Sequence, residues 1–174
     1  MGREAEKKSL VRKLKYFWIT IVIVILDQIS KYAVRNWVDF GSRNVIKITE
    51  KFFWLTKVQN TGAAFSFSFG SVSLNRFIFI TISILAVCLL VYYILKTKIK
   101  TEKIAFALVL GGAVGNLLDR IFIGSVTDFI WWDFPDVIMY RWPVFNIADS
   151  AIVAAVSILV VFYLLNLETN NTEK

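Results

Sequence analysis

The sequence predicts an all-α integral-membrane fold of four transmembrane helices, and three observations predict it. Apolar residues fall in long blocks, 57% of the 174 residues being hydrophobic and 19% charged; a water-soluble domain holds about 45–50% and about 25%. Four of these blocks are close to the length of a bilayer crossing. The basic residues gather in short flanks between the blocks, the pattern that orients a membrane protein. Four spans of about 20 residues use roughly 80 positions, which leaves 1–174 as a single membrane-embedded domain.

The first block, residues 16–34, opens with an apolar stretch over 16–26 broken only by Thr20. Its basic lead-in resembles that of a secretory signal. However, Asp27-Gln28-Ile29-Ser30-Lys31 follows and no small-residue cleavage site does, so it reads as a retained span. The second block, 77–95, has no Asp, Glu, Lys or Arg. The third, 104–118, is short unless it continues through Ile123, and Asp119-Arg120 comes just after it. The fourth, 145–167, carries Asp149 near its start.

Lysine and arginine density sets the orientation. Arg3, Lys7, Lys8, Arg12, Lys13 and Lys15 crowd the tail 1–15, and Lys96, Lys98, Lys100 and Lys103 crowd 96–103. The connection 119–144 has only Arg120 and Arg141, and the basic residues of 34–76 are spread over a long segment. Both termini, the second being the tail 168–174, and the 96–103 loop are therefore expected in the cytoplasm. The net charge of +7 is read as this topology signal and as attraction to lipid headgroups, not as nucleic-acid binding.

The two outer connections have more character. Residues 45–58 are rich in β-branched and aromatic types and partly alternate, which predicts two short strands with a turn near Glu50-Lys51. Asn60 and Gly62 follow in a stretch suited to tight, exposed backbone. Residues 129–142 read as an interfacial loop. Trp37, Trp54, Trp131, Trp132 and Trp142 fall on this outer side, suited to headgroup-level anchoring or to contact with a lipidic substrate.

Composition removes several chemistries. With no histidine, Ser-His-Asp and Cys-His sites and HExxH zinc hydrolysis are excluded. A single cysteine, Cys88, gives no disulfide framework and no thiolate metal cluster. Acid–base work falls to carboxylates or, failing them, to a lysine.

Ionisable groups inside a span cost about 2.5–3.5 kcal/mol each on insertion scales, so they default to functional candidates. Counting from the cytoplasmic edge, Asp27 and Lys31 lie about 17 and 22 Å in, and Asn116 and Asp119 about 18–22 Å in. Asp149 sits within about one turn of the outer boundary. Each has a structural alternative. Asp27 and Lys31 form an i,i+4 pair, Arg120 can anchor a helix end, and Asn146 can cap the fourth helix with Asp149 at its third position. Asp128 falls in a predicted loop, where a carboxylate is ordinarily solvated.

These residues lie in five segments: Asp27-Gln28-Ile29-Ser30-Lys31; Asn60-Thr61-Gly62-Ala63-Ala64-Phe65-Ser66; Gly111-Gly112-Ala113-Val114-Gly115-Asn116-Leu117-Leu118-Asp119-Arg120; Gly124-Ser125-Val126-Thr127-Asp128-Phe129; and Phe145-Asn146-Ile147-Ala148-Asp149-Ser150. In this order the chain resembles the bacterial type II (lipoprotein) signal peptidases, integral-membrane aspartic peptidases. The resemblance implies cleavage of diacylglyceryl-modified prolipoproteins just before the lipidated cysteine, downstream of prolipoprotein diacylglyceryl transferase and without metal or cofactor. It implies a catalytic dyad of Asp128 and Asp149, with Asp27, Lys31, Asn60, Gly62, Asn116, Asp119, Arg120 and Asn146 supporting the site or contacting substrate. It also implies a small extracytoplasmic β-cradle, here within 35–73, and a short interfacial helix. The expected setting is the bacterial cytoplasmic membrane, with the chain acting as a monomer among membrane lipids.

Two neighbouring carboxylates can do this chemistry unaided, because like charges at short range hold one shared proton between them. Arg120 would oppose that sharing, so it is expected to pair with Asp119, a headgroup or a carbonyl. The rival readings are a transporter using Asp27, Lys31 and Asp119, a Ser30-Lys31 peptidase, and a non-catalytic scaffold.

Overall fold

The computed structural model describes residues 14–36, 38–39, 41, 44–50, 52–62, 71–132 and 142–172, with side chains described as far as Leu165. Four helices carry the fold: α1 (Phe17–Asn36), α2 (Val72–Lys96), α3 (Lys100–Phe122) and α4 (Ile147–Thr172). All four are long and apolar enough to cross a membrane. Trp18, Leu85, Val153 and Val161 stand exposed on their outer faces, which suits a surface solvated by lipid.

The third helix is the hub and packs against the other three. Lipid supplies no hydrophobic drive for helices to associate, so small residues that admit close backbone approach do the joining. A Cβ added at Gly112 would lie 2.5 Å from the Ala148 carbonyl oxygen of α4, and one at Gly111 2.7 Å from Ile23 Cβ of α1. Farther from the sheet, Ile94, Ala107 and Leu110 fill the interior together with Phe17 and Ile19. Thr20 donates its hydroxyl to the Ala107 carbonyl at 2.9 Å.

At the other end sits an antiparallel sheet of β1 (Val45–Lys47), β2 (Phe53–Asn60) and β3 (Val126–Trp132), in that order. The expected hairpin is present, with Val45 opposite Thr56 and Lys47 opposite Trp54. Strand β3 runs from Val126 opposite Asn60 to Trp132 opposite Phe53, with a bulge between Leu55 and Val58. Ile46, Leu55 and Ile130 pack with Val34, Phe129 and Ile147, which seats the sheet on the ends of α1 and α4.

Several expectations are corrected. The third span extends at both ends, so Asp119 and Arg120 lie inside α3 and not beyond it. The helix stops where Gly124 takes a φ of +91° and donates its N–H to the Asp119 carbonyl at 3.1 Å, a left-handed cap that suits glycine. Residues 126–132, expected as loop, form β3. Their β-branched and aromatic side chains suit a strand, but the pairing partner lies far back in the chain. The second span starts at Val72, capped by Ser71, whose Oγ accepts from Leu74 N at 3.2 Å. The fourth runs on to Thr172, through most of the expected tail. The basic tail up to residue 13, Trp37, the stretch 63–66 of the second motif, and the 133–141 part of the outer loop lie outside the described residues, and the short interfacial helix is not among those described.

Candidate active site

The hub helix, the first and last helices and the edge of the sheet converge on two adjoining layers of polar side chains. The lower layer is ionic and closed. Lys31 Nζ lies 2.8 Å from Asp27 Oδ2 and 3.6 Å from Asp119 Oδ2, and Arg35 lies 3.2 Å from Asp119 Oδ1. Two cations and two anions thus offset one another where Asp27, Lys31 and Asp119 are at most 1% exposed. Charges so deeply buried need both a counter-charge and a full set of hydrogen bonds. Asp27 accepts from Ala148 N at 3.0 Å and from Gln28 Nε2 at 3.1 Å, while Asp119 accepts from Thr127 N at 2.9 Å. Among the described residues no buried side-chain nitrogen or oxygen lacks a partner.

The layer above is built of amides around two carboxylates. Lys31 donates to Asn116 Oδ1 at 2.8 Å, so the Asn116 amide nitrogen faces Asp149 Oδ1, at 2.9 Å. Asn146 caps α4: its Oδ1 accepts from Asp149 N at 3.0 Å, and its backbone N–H returns a bond to Asp149 Oδ2 at 3.2 Å. The same residue donates its amide nitrogen to Asp128 Oδ1 at 2.7 Å and to Asn116 Oδ1 at 3.1 Å. Asn60 covers the other oxygen of Asp128, donating to Oδ2 at 3.1 Å, with its own Oδ1 fixed by Gly62 N at 3.0 Å. Arg120 donates to the Gly62 carbonyl at 3.1 Å and the Asn116 carbonyl at 3.3 Å.

The ten site residues that the resemblance implies therefore belong to one continuous network. Asn146 serves as both helix cap and bridge between Asp128 and Asp149, so the capping geometry and the contact with Asp128 occur together. Asp128 is not a solvated loop carboxylate but a strand residue only 3% exposed, whereas Asp149 is half-buried. Burial first, and then the charge of Asp149 alongside, push the Asp128 carboxyl up to about 6. Chemically, the pair can hold one proton and lend or accept it at its more exposed member, Asp149.

Of the partners expected for Arg120, the structure shows the carbonyl and not Asp119. Asp119 is occupied by Arg35, Lys31 and Thr127, and Arg120 turns to backbone carbonyls, as its other expectation allowed. The Ser30-Lys31 reading loses its geometry, since Ser30 Oγ bonds the Asp27 carbonyl at 2.9 Å and Lys31 is committed elsewhere. No three His, Cys, Asp or Glu side chains among the described residues are grouped to hold a metal ion.

A sequence model of the family described as Signal peptidase (SPase) II matches residues 19–165. The chain belongs to that family. A lipoprotein signal peptidase of Francisella tularensis subsp. novicida (strain U112) is 47% identical over 152 residues, covering 85% of this chain and 90% of its own. One from Pasteurella multocida (strain Pm70) is 39% identical over 144 residues, covering 80% and 82%. A solved structure of a bacterial membrane enzyme superposes with a TM-score of 0.74 at 30% identity, covering 92% of this chain and 93% of that one. This signal peptidase II family member is accordingly a peptidase and a multi-pass membrane protein.

The sequence reading of this family member passed over Arg35 and Thr127. The signal was present: Asp27, Lys31 and Arg35 recur every fourth residue, which puts three charges along one stripe of an otherwise apolar helix. At the helix end, Arg35 reads by sequence as one of the basic residues of the outer connection.

Proposed function

We propose that this protein is a membrane aspartic endopeptidase that removes the signal peptide from diacylglyceryl-modified prolipoproteins, cutting just before the lipidated cysteine. The observation that carries the reading is the bridge at Asn146, which bonds Asp128 and Asp149 at once, one carboxylate buried and the other partly exposed. A shared proton follows from two such groups in one site. The ionised member of the pair takes a proton from water as the water oxygen attacks the scissile carbonyl carbon, and the protonated member gives its proton to the carbonyl oxygen. Collapse of the tetrahedral species breaks the C–N bond, with a proton returned to the leaving amine. The pair titrates as a unit, so the two roles belong to the dyad. Asn60, Asn116 and Asn146 orient the carboxylates without adding charge.

Basic flanks support a cytoplasmic (inner) membrane orientation with both termini in the cytoplasm and the site near the outer face. A diacylglyceryl cysteine keeps its acyl chains in the outer leaflet at about 0.8 kcal/mol per buried CH₂, and the scissile bond then sits at the boundary. The substrate is made by a prolipoprotein diacylglyceryl transferase and arrives laterally at a monomeric enzyme. The sheet grips the peptide. Against the transporter reading stands the apolar plug of Ile94, Ala107 and Leu110 beneath the charged layer.

The test is a mobility shift of a lipidated precursor mixed with the purified protein in detergent. Asp128→Asn and Asp149→Asn are expected to insert normally and to leave the precursor uncut; cleavage at the parent rate by either variant rejects the dyad.

A further inference from the structure

Arg35 belongs to none of the motif residues, yet from α1 its side chain bonds both the strand that bears Asp128 and α3. Its NH1 nitrogen donates to Asp119 Oδ1 at 3.2 Å and to Thr127 Oγ1 at 3.0 Å. Asp119 closes the triangle by accepting from Thr127 N at 2.9 Å through its other oxygen. Side chains alternate along a strand, and here Thr127 and Phe129 face α1, meeting Arg35 and Val34, while Asp128 between them is turned toward Asn60 and Asn146. Holding Thr127 therefore sets the direction in which Asp128 points. We infer that Arg35 is a positioning residue for peptide cleavage, acting through Thr127 to aim the Asp128 carboxylate at Asn146 and Asp149. The inference rests on the dyad reading given above.

The physical case has two parts. Charge balance is the first: with Lys31 shared between Asp27 and Asp119, removal of Arg35 leaves the closed layer with one excess negative charge at groups at most 1% exposed. Directionality is the second. One nitrogen serves both acceptors, so the role needs a cationic donor at that point and not the fork of a guanidinium. This also explains an arginine at the outer end of the first span, where orientation rules favour its absence.

The test compares Arg35→Met, Arg35→Lys and Thr127→Val in the full-length protein in detergent, reading kcat and KM separately and following amide exchange over residues 126–132. Arg35→Met is expected to lower kcat by about tenfold or more with KM little changed, as misplacement of a reacting group does. Exchange at Thr127 rises in the same variant, because its N–H loses a rigidly held acceptor. Arg35→Lys restores most of the rate. Thr127→Val lowers kcat, and adding Arg35→Met to it costs less than Arg35→Met alone. An unchanged kcat in Arg35→Met, equal losses in the Met and Lys variants, or strictly additive losses with Thr127→Val would each overturn the inference. The Lys variant keeps the test open if Arg35→Met does not fold. Full activity of Arg35→Met beside an inactive Asp128→Asn rejects only the positioning role; activity of Asp128→Asn rejects the dyad itself.

Discussion

Lys31 decides which end of the Asn116 amide faces Asp149. An ammonium can only donate, so its 2.8 Å contact with Asn116 Oδ1 leaves the amide nitrogen to meet the Asp149 carboxylate at 2.9 Å. The same ammonium balances Asp27. Lys31→Met is therefore expected to destabilise the protein by about 3–5 kcal/mol, the cost of leaving a buried charge unpaired. Removing both partners, Lys31→Met with Asp27→Leu, leaves the neutral Asp119–Arg35 pair and should recover part of that loss. Thermal unfolding in detergent of the two single variants and the double variant checks this; a double variant less stable than Lys31→Met contradicts it.

Asn146 carries two duties that one substitution separates. Serine caps helices about as well as asparagine, so Asn146→Ser is expected to hold the fold close to parent stability. It lacks the amide nitrogen that reaches Asp128 and Asn116. Its kcat should fall by about tenfold to a hundredfold, as expected when a reacting group is left loosely placed. A melting curve and a single-turnover cleavage assay on the same preparation report the two effects.

Protonation of Asp128 gives a pH signature. Its folded pKa of about 6 stands above the ordinary aspartate value of 3.8, so the folded state binds the proton more tightly than the unfolded one. The stability so gained is complete below about pH 4 and lost as pH rises through 6, a change of about 3 kcal/mol. Asp128→Asn should flatten the stability profile over that window. The slope is the readout, because a constant cost of facing amide donors with another amide does not alter it. Parallel slopes for parent and variant would remove the claim.

Gly115 is needed for space. A Cβ there would lie 2.6 Å from Asp27 Oδ2, and that carboxylate cannot retreat while it is bonded to Lys31 and its other oxygen to Ala148 N. Gly115→Ala is expected to cost about 1–3 kcal/mol, as overpacking does, whereas Gly124→Ala meets nothing closer than 3.6 Å and suffers only from its φ of +91°. Unfolding of the two variants side by side, with Gly115→Ala the less stable, is the expected result.

The four helices were legible because lipid demands apolar runs, and only their ends shifted. Asp27, Lys31, Asn116 and Asp119 were legible because a polar group inside an apolar run is costly and therefore conspicuous. Asp128 was legible through its motif but not in its surroundings: its strand is made by pairing with β2, a long-range event no local pattern around Val126 announces. Arg35 was hidden by its position at a helix end, where a basic residue looks like a boundary marker. Its meaning depends on Asp119 and Thr127, which the chain brings to it only after folding.

The network draws on α1, β2, α3, β3 and α4, and of its four carboxylates only Asp149 stands on α4. A nascent chain released from the ribosome before Asp149 emerges has the cleft floor and its charges but no partner for Asp128. On the dyad reading, such a chain would hold the charged layer without peptidase activity.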